Sequence, residues 1–137
     1  MLFAVSANQT FEYVIEREKD VENPTVFVLR SLTAGELAAI EDKVTQLHQT
    51  DGEEMTVSIF TGRQSIMALR AGLRGWRNFC FENGSEVPFK SDKKGVPVEE
   101  TLDCIPVEVR QELANEILSK TRVKEDEAKN SDSSLVE

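Results

Sequence analysis

Val26-Phe27-Val28-Leu29-Arg30-Ser31-Leu32-Thr33-Ala34-Gly35-Glu36-Leu37 carries the two signals that set the fold class of this chain. Val26 to Arg30 is β-branched and aromatic and reads as a strand. Thr33 and Glu36 then stand at the spacing of a capping box. The Thr hydroxyl can accept from the Glu36 amide while the Glu carboxylate reaches back to the Thr33 amide, so a helix begins there. Leu37, Ile40, Val44 and Leu47 follow at intervals of three and four, one apolar stripe running to about His48. A strand leading directly into an amphipathic helix argues for α+β.

Upstream, Phe11, Tyr13 and Ile15 alternate at period two and read as a second strand. The charged stretch between the strands ends at Asn23-Pro24, a turn signal, so the two pair as a hairpin with a loop longer than two residues. Downstream, Gln49 to Glu54 is a polar loop. Met55 to Phe60 alternates and reads either as a short strand or as an early start to the next helix. Thr61-Gly62-Arg63-Gln64 repeats the capping-box spacing, and Ile66, Leu69, Leu73 and Trp76 then mark one side of a central helix that Gly75 can end.

Asn78 to Phe81 and Val87 to Phe89 flank an Asn83-Gly84 turn, a second hairpin with Pro88 marking an edge. Ser91 to Gly95 is a solvated turn and Val98 to Ile105 a short helix. Pro106 opens the last long helix, whose inward face is Val109, Leu113, Ala114, Ile117 and Leu118 and whose expected end is near Lys120. From Lys124 onward two Lys stand against five acids, with little to bury, which predicts an acidic flexible C-terminal tail. The expected architecture is a single α+β domain over 1–122, with small antiparallel hairpins packed on three main helices, and a tail over 123–137.

The totals narrow the function. A chain of 137 residues suits one core, and 25 Asp and Glu against 16 Lys and Arg give a net charge of -9. Long-range repulsion disfavours free nucleic acid and anionic lipid as partners, while the acidity suits either solubility or a basic or apolar protein partner. No apolar run approaches the length that spans a bilayer, and the start lacks the pattern of a signal peptide, so a cytosolic protein is expected. Cys80 and Cys104 sit far apart among apolar neighbours and read as reduced, buried thiols.

Catalytic and metal-binding chemistry finds no foothold. His48 is the one histidine, and a metal site needs several converging ligands. Glu99 and Glu100 are adjacent and point apart on a helix, and Gly72-Leu73-Arg74-Gly75 lacks the Lys-Ser/Thr of a phosphate loop. No enzyme, metal or cofactor is expected. The less ordinary feature is basic: Arg63, Arg70, Arg74 and Arg77 share one face of a continuous helix, and no acid occurs between Thr61 and Phe81. Such a ridge grips an acidic partner or another copy of the chain, or is consumed by pairing within the molecule. Trp76 and Phe79 read either as anchors for a partner or as core.

The order of strand pair, Leu29-Arg30-Ser31-Leu32-Thr33, Leu69 to Phe79, Val87-Pro88-Phe89, Ile105-Pro106, the Glu112 to Leu118 helix and the Lys124 to Ser131 end resembles the small tail assembly chaperones of tailed bacteriophages. The similarity covers most of Phe11 to Ser131. It implies a non-enzymatic assembly factor in the host cell cytoplasm that binds the tape measure protein and helps the tail tube protein polymerise around it. The family brings no catalytic residues. A structural virion component, such as a head-tail connector or minor tail protein in a symmetric ring, is the alternative expectation.

Overall fold

A computed structural model describes residues 1–4, 9–51 and 62–134, with 43–51 and 124–134 described as backbone only. Its elements are β1 (Thr10–Tyr13), β2 (Val26–Arg30), α1 (Ala34–Asp51), α2 (Gly62–Gly72), β3 (Leu73–Arg77), α3 (Glu99–Asp103) and α4 (Val107–Ser134), with a 3-10 turn at Glu16–Glu18.

β2 is the central strand of a three-stranded antiparallel sheet ordered β1-β2-β3. Its composition explains the place: Val26, Phe27, Leu29 and Arg30 are all buried, and apolar groups on both faces suit a strand with neighbours on both sides. Tyr13 pairs with Phe27 and Phe11 with Leu29, so the aromatic face of β1 joins the core face of β2. The expected long-loop hairpin is present, with Asn23 at φ 56 in the left-handed region before Pro24.

The capping box forms as read. Thr33 N–H donates to Glu36 Oε1 at 2.8 Å, and Glu36 N–H donates to the Thr33 hydroxyl at 3.2 Å. Arg30 then donates to Glu36 Oε2 at 2.6 Å, which ties the end of β2 to the start of α1.

The central helix is shorter than its apolar spacing predicts. α2 stops at Gly72, and Leu73 to Trp76 belong to β3. Two physical reasons combine. Gly72 lies against α4 so closely that a Cβ there would sit 2.7 Å from Ile117 Cδ1, and glycine favours a helix end. Leu29 pairs with Leu73 but Val28 with Gly75, so Arg74 is the extra residue of a β-bulge. The bulge puts Leu73 and Trp76 on the same face, opposite Leu29 and Phe27, at a spacing of three that imitates a helix.

One core cluster joins Ile15, Phe27 and Leu29 to Leu69 and Leu73 and to Val109, Leu113, Ala114, Ile117 and Leu118. The inward face expected of the last helix is therefore the observed one. Pro106 sits just before α4, its carbonyl accepting from Arg110 N–H at 2.9 Å, which is the cap position rather than the first helical one. α4 runs to Ser134, past the end expected near Lys120; Lys124, Glu125, Glu127, Ala128 and Lys129 are good helix formers that extend a helix the packed core has already nucleated. The Asn83-Gly84 hairpin closes through a single Cys80–Glu86 bridge with Gly84 at φ 90. The strand expected at Met55 to Phe60 and the cap at Thr61 lie outside the described residues.

No helix among the described residues is long and apolar enough to cross a membrane. Both cysteines are exposed, contrary to the burial expected from their apolar neighbours. Cys80 lies on the hairpin, beyond the core, and Cys104 follows α3 with its thiol donating to the Glu100 carbonyl at 3.4 Å.

Candidate functional site

The bulge that ends the central helix also divides the basic ridge. Arg63 and Arg70 lie on α2, while Arg74 and Arg77 lie on β3, so the four do not share a helical face. Each pair meets a different fate.

Arg77 is consumed within the molecule. It reaches across β2 to Glu12 of β1, with Nη1 donating to Oε2 at 2.6 Å and Nη2 to Oε1 at 3.1 Å, a two-pronged pair on the outer face of the sheet. The hydrogen bond and charge of Arg77 hold the Glu12 carboxyl below its ordinary range. Arg74 occupies the bulge and donates Nη1 to the carbonyls of Arg70 at 3.1 Å and Leu73 at 2.8 Å. These carbonyls lie at the end of α2, where a cation also complements the helix dipole. Burial lowers the Arg74 pKa, as does the nearby charge of Arg30, and Glu36 and Asp92 act in the opposite sense.

Arg63 and Arg70 remain exposed, and neither makes an ion pair among the described residues. They stand seven residues apart, two turns along one face of α2, about 10 Å from each other along the axis. Arg74, folded back onto the Arg70 carbonyl, lies next to this face at the bulge but is partly buried.

Trp76 and Phe79 pack rather than stand free. The Trp76 ring meets Phe79 at 4.8 Å and Phe89 at 5.0 Å, both edge to face, and Phe27 at 6.2 Å. Its indole N–H donates to the Val87 carbonyl at 2.8 Å, which fixes the Asn-Gly hairpin over the end of the sheet. Trp76, Phe79 and Phe89 are only half-buried, and Phe81, two residues on from Phe79, is 48% exposed. An aromatic cluster is thus closed on the core side and open on the other.

Sequence reasoning did not single out Phe81, Glu12 or the Tyr13–Glu112 contact. Tyr13 Oη donates to Glu112 Oε2 at 2.5 Å, and the same oxygen accepts from Glu16 N–H at 2.8 Å, binding the first hairpin to α4. Burial raises the Tyr13 pKa first, and the adjacent Glu112 carboxylate adds to the shift. Glu12 was signalled by its place between Phe11 and Tyr13, on the opposite face of an alternating strand. Glu112 carried no local signal, since the contact joins residues 99 apart.

His48 falls on the backbone of α1, where its side chain lies outside the described residues. Among the described residues no group of three or more His, Cys, Asp or Glu is placed to hold a metal ion. Comparison of the chain with protein-family models, with curated proteins and with solved structures finds no match.

Proposed function

We propose that this chain is a non-enzymatic assembly factor of the phage tail-chaperone kind, which binds the tape measure protein in the host cell cytoplasm and promotes polymerisation of the tail tube protein around it. The resemblance over most of Phe11 to Ser131 is what suggests this kind of factor. The structural observation that supports a binding role is the half-buried aromatic cluster of Trp76, Phe79 and Phe89, with the exposed ring of Phe81 two residues on from Phe79.

The physics of such a role is modest and specific. A long helical scaffold exposes apolar residues at intervals of three and four, and a partner keeps it soluble by covering them with apolar surface of its own. Trp76 and Phe79 are held in fixed orientations by their ring contacts, so little side-chain freedom is lost when a partner docks. Phe81 presents its ring without an intramolecular ring contact among the described residues, and the net charge of -9 keeps a complex dispersed.

Co-expression with the tape measure protein tests the reading. The wild-type chain raises the soluble fraction of that protein, and Phe81→Ser, at an exposed position that leaves the fold intact, reduces the effect. If the tape measure protein is equally soluble without this chain, the chaperone reading fails. Purified particles provide the second check: a chaperone is absent from them, whereas abundance in particles indicates a structural component.

A further inference from the structure

We infer that the cationic face of α2, Arg63 and Arg70 with Arg74 beside them, is a self-association site that receives the acidic C-terminal stretch of α4 from a second copy of this chain. The inference is independent of the tape measure reading, because it concerns a different surface and a different partner.

Charge is segregated along the chain. From Gly62 to Phe81 there are four Arg and no acid, whereas from Lys124 to Glu137 there are five acids and two Lys. Arg77 is neutralised by Glu12, but Arg63 and Arg70 have no carboxylate among the described residues. Two copies that each carry -9 repel at long range. At physiological salt that repulsion is screened beyond roughly 8 Å, so the match of local patches decides whether contact is favourable.

The backbone geometry brings the two patches to the same scale. α4 continues as helix to Ser134, about 20 Å beyond Thr121, its last buried residue among those with described side chains. Positions 125 and 132, Glu and Asp, are seven apart on one face of that helix, the same interval that separates Arg63 from Arg70 on α2. Two helices laid side by side therefore match positions 125 and 132 of one copy to positions 63 and 70 of the other, and Arg favours bidentate pairing with Asp and Glu. Lys129 lies between the two acids on that face and opposes the contact.

Sedimentation velocity of the full chain over a concentration series, at about 150 mM and about 500 mM salt, tests this. The wild type associates with concentration at about 150 mM salt and more weakly at about 500 mM. Arg63→Glu with Arg70→Glu abolishes association, and so does Glu125→Lys with Asp132→Lys. An equimolar mixture of those two variants associates again, because each then supplies what the other lacks. Lys129→Glu, which removes the interleaved cation, strengthens wild-type association. Circular dichroism confirms that each variant is folded, and Arg63→Gln with Arg70→Gln replaces the reversal should that fail. A wild type that stays monomeric, association insensitive to salt, or a mixture that does not restore it overturns the inference.

Discussion

Gly72→Ala should destabilise the protein although it replaces a poor helix former with the best one. An added Cβ at position 72 would meet Ile117 at 2.7 Å from Cδ1, 2.9 Å from Cγ2 and 3.0 Å from Cγ1. Carbon atoms in contact prefer roughly 3.5–4.0 Å, so one side must shift by about 0.5–1 Å. Ile117 is fully buried in the main cluster, with Leu113, Ala114 and Leu118 around it, and has no space to retreat into. Overpacking of this kind costs about 1–3 kcal/mol, while the propensity gain at the last residue of a helix is at most about 1 kcal/mol. The expected net loss is about 1–2 kcal/mol, read as a fall in thermal midpoint of roughly 3–8 °C for a domain of this size. Ile117→Ala alone leaves a cavity and costs about 2–5 kcal/mol. In the double variant the new methyl fills part of that cavity, so the two losses combine to less than their sum by about 1 kcal/mol or more. Denaturant melts of the four proteins measure the cycle. A stabilised Gly72→Ala, or losses that add, would refute the claim that α2 and α4 are held apart by nothing larger than hydrogen at this position.

Three other outcomes follow from single contacts. Thr121→Val keeps the shape but leaves the buried Leu32 N–H, now 2.9 Å from the Thr121 hydroxyl, without its acceptor, a loss of about 1–3 kcal/mol in denaturant melts that Thr121→Ser does not show. Glu36 is raised by burial but lowered more by the Thr33 amide and the Arg30 guanidinium, so its folded pKa lies below the ordinary 4.5. Its contribution is therefore complete above 4.5 and fades as pH falls through the folded value, and the stability gap between wild type and Glu36→Gln should narrow from pH 6 toward pH 3. Arg77→Gln removes an ion pair whose side chains are both more than half exposed, so the thermal midpoint should stay within about 2 °C of wild type at physiological salt. A larger drop in that melt would mean the pair is needed to hold β1 to the sheet.

The parts of the fold legible in the sequence are those whose signal is local. The Thr33–Glu36 box satisfies its own amides within one turn, and the inward face of α4 is written at intervals of three and four from Val109 to Leu118. β3 was hidden because its two core residues are three apart. In a flat strand Leu73 and Trp76 would face opposite ways, and only the bulge at Arg74, defined by pairing with β2, turns both inward. A one-dimensional pattern cannot tell that arrangement from a helix, since the deciding contact lies more than forty residues upstream. The same limit applies to Cys80 and Cys104, whose apolar neighbours in sequence are not their neighbours in space.

The same misreading bears on the site, because the face of a helix is only as real as the helix. Four Arg at intervals of seven, four and three make a ridge if the backbone stays helical to Arg77, and the bulge breaks that ridge after Arg70. Arg77 then falls opposite Val26, within reach of Glu12, and Arg74 folds back on the carbonyls that end α2. What survives is set by geometry rather than by residue type: the two cations on the exposed face of α2 keep no ion-pair partner among the described residues, whereas Arg74 and Arg77 on the sheet are taken up by internal partners. Reversing charge at Arg70 should therefore alter association and spare stability. Reversing it at Arg74, against the Arg70 and Leu73 carbonyls and near Glu36 and Asp92, should cost stability.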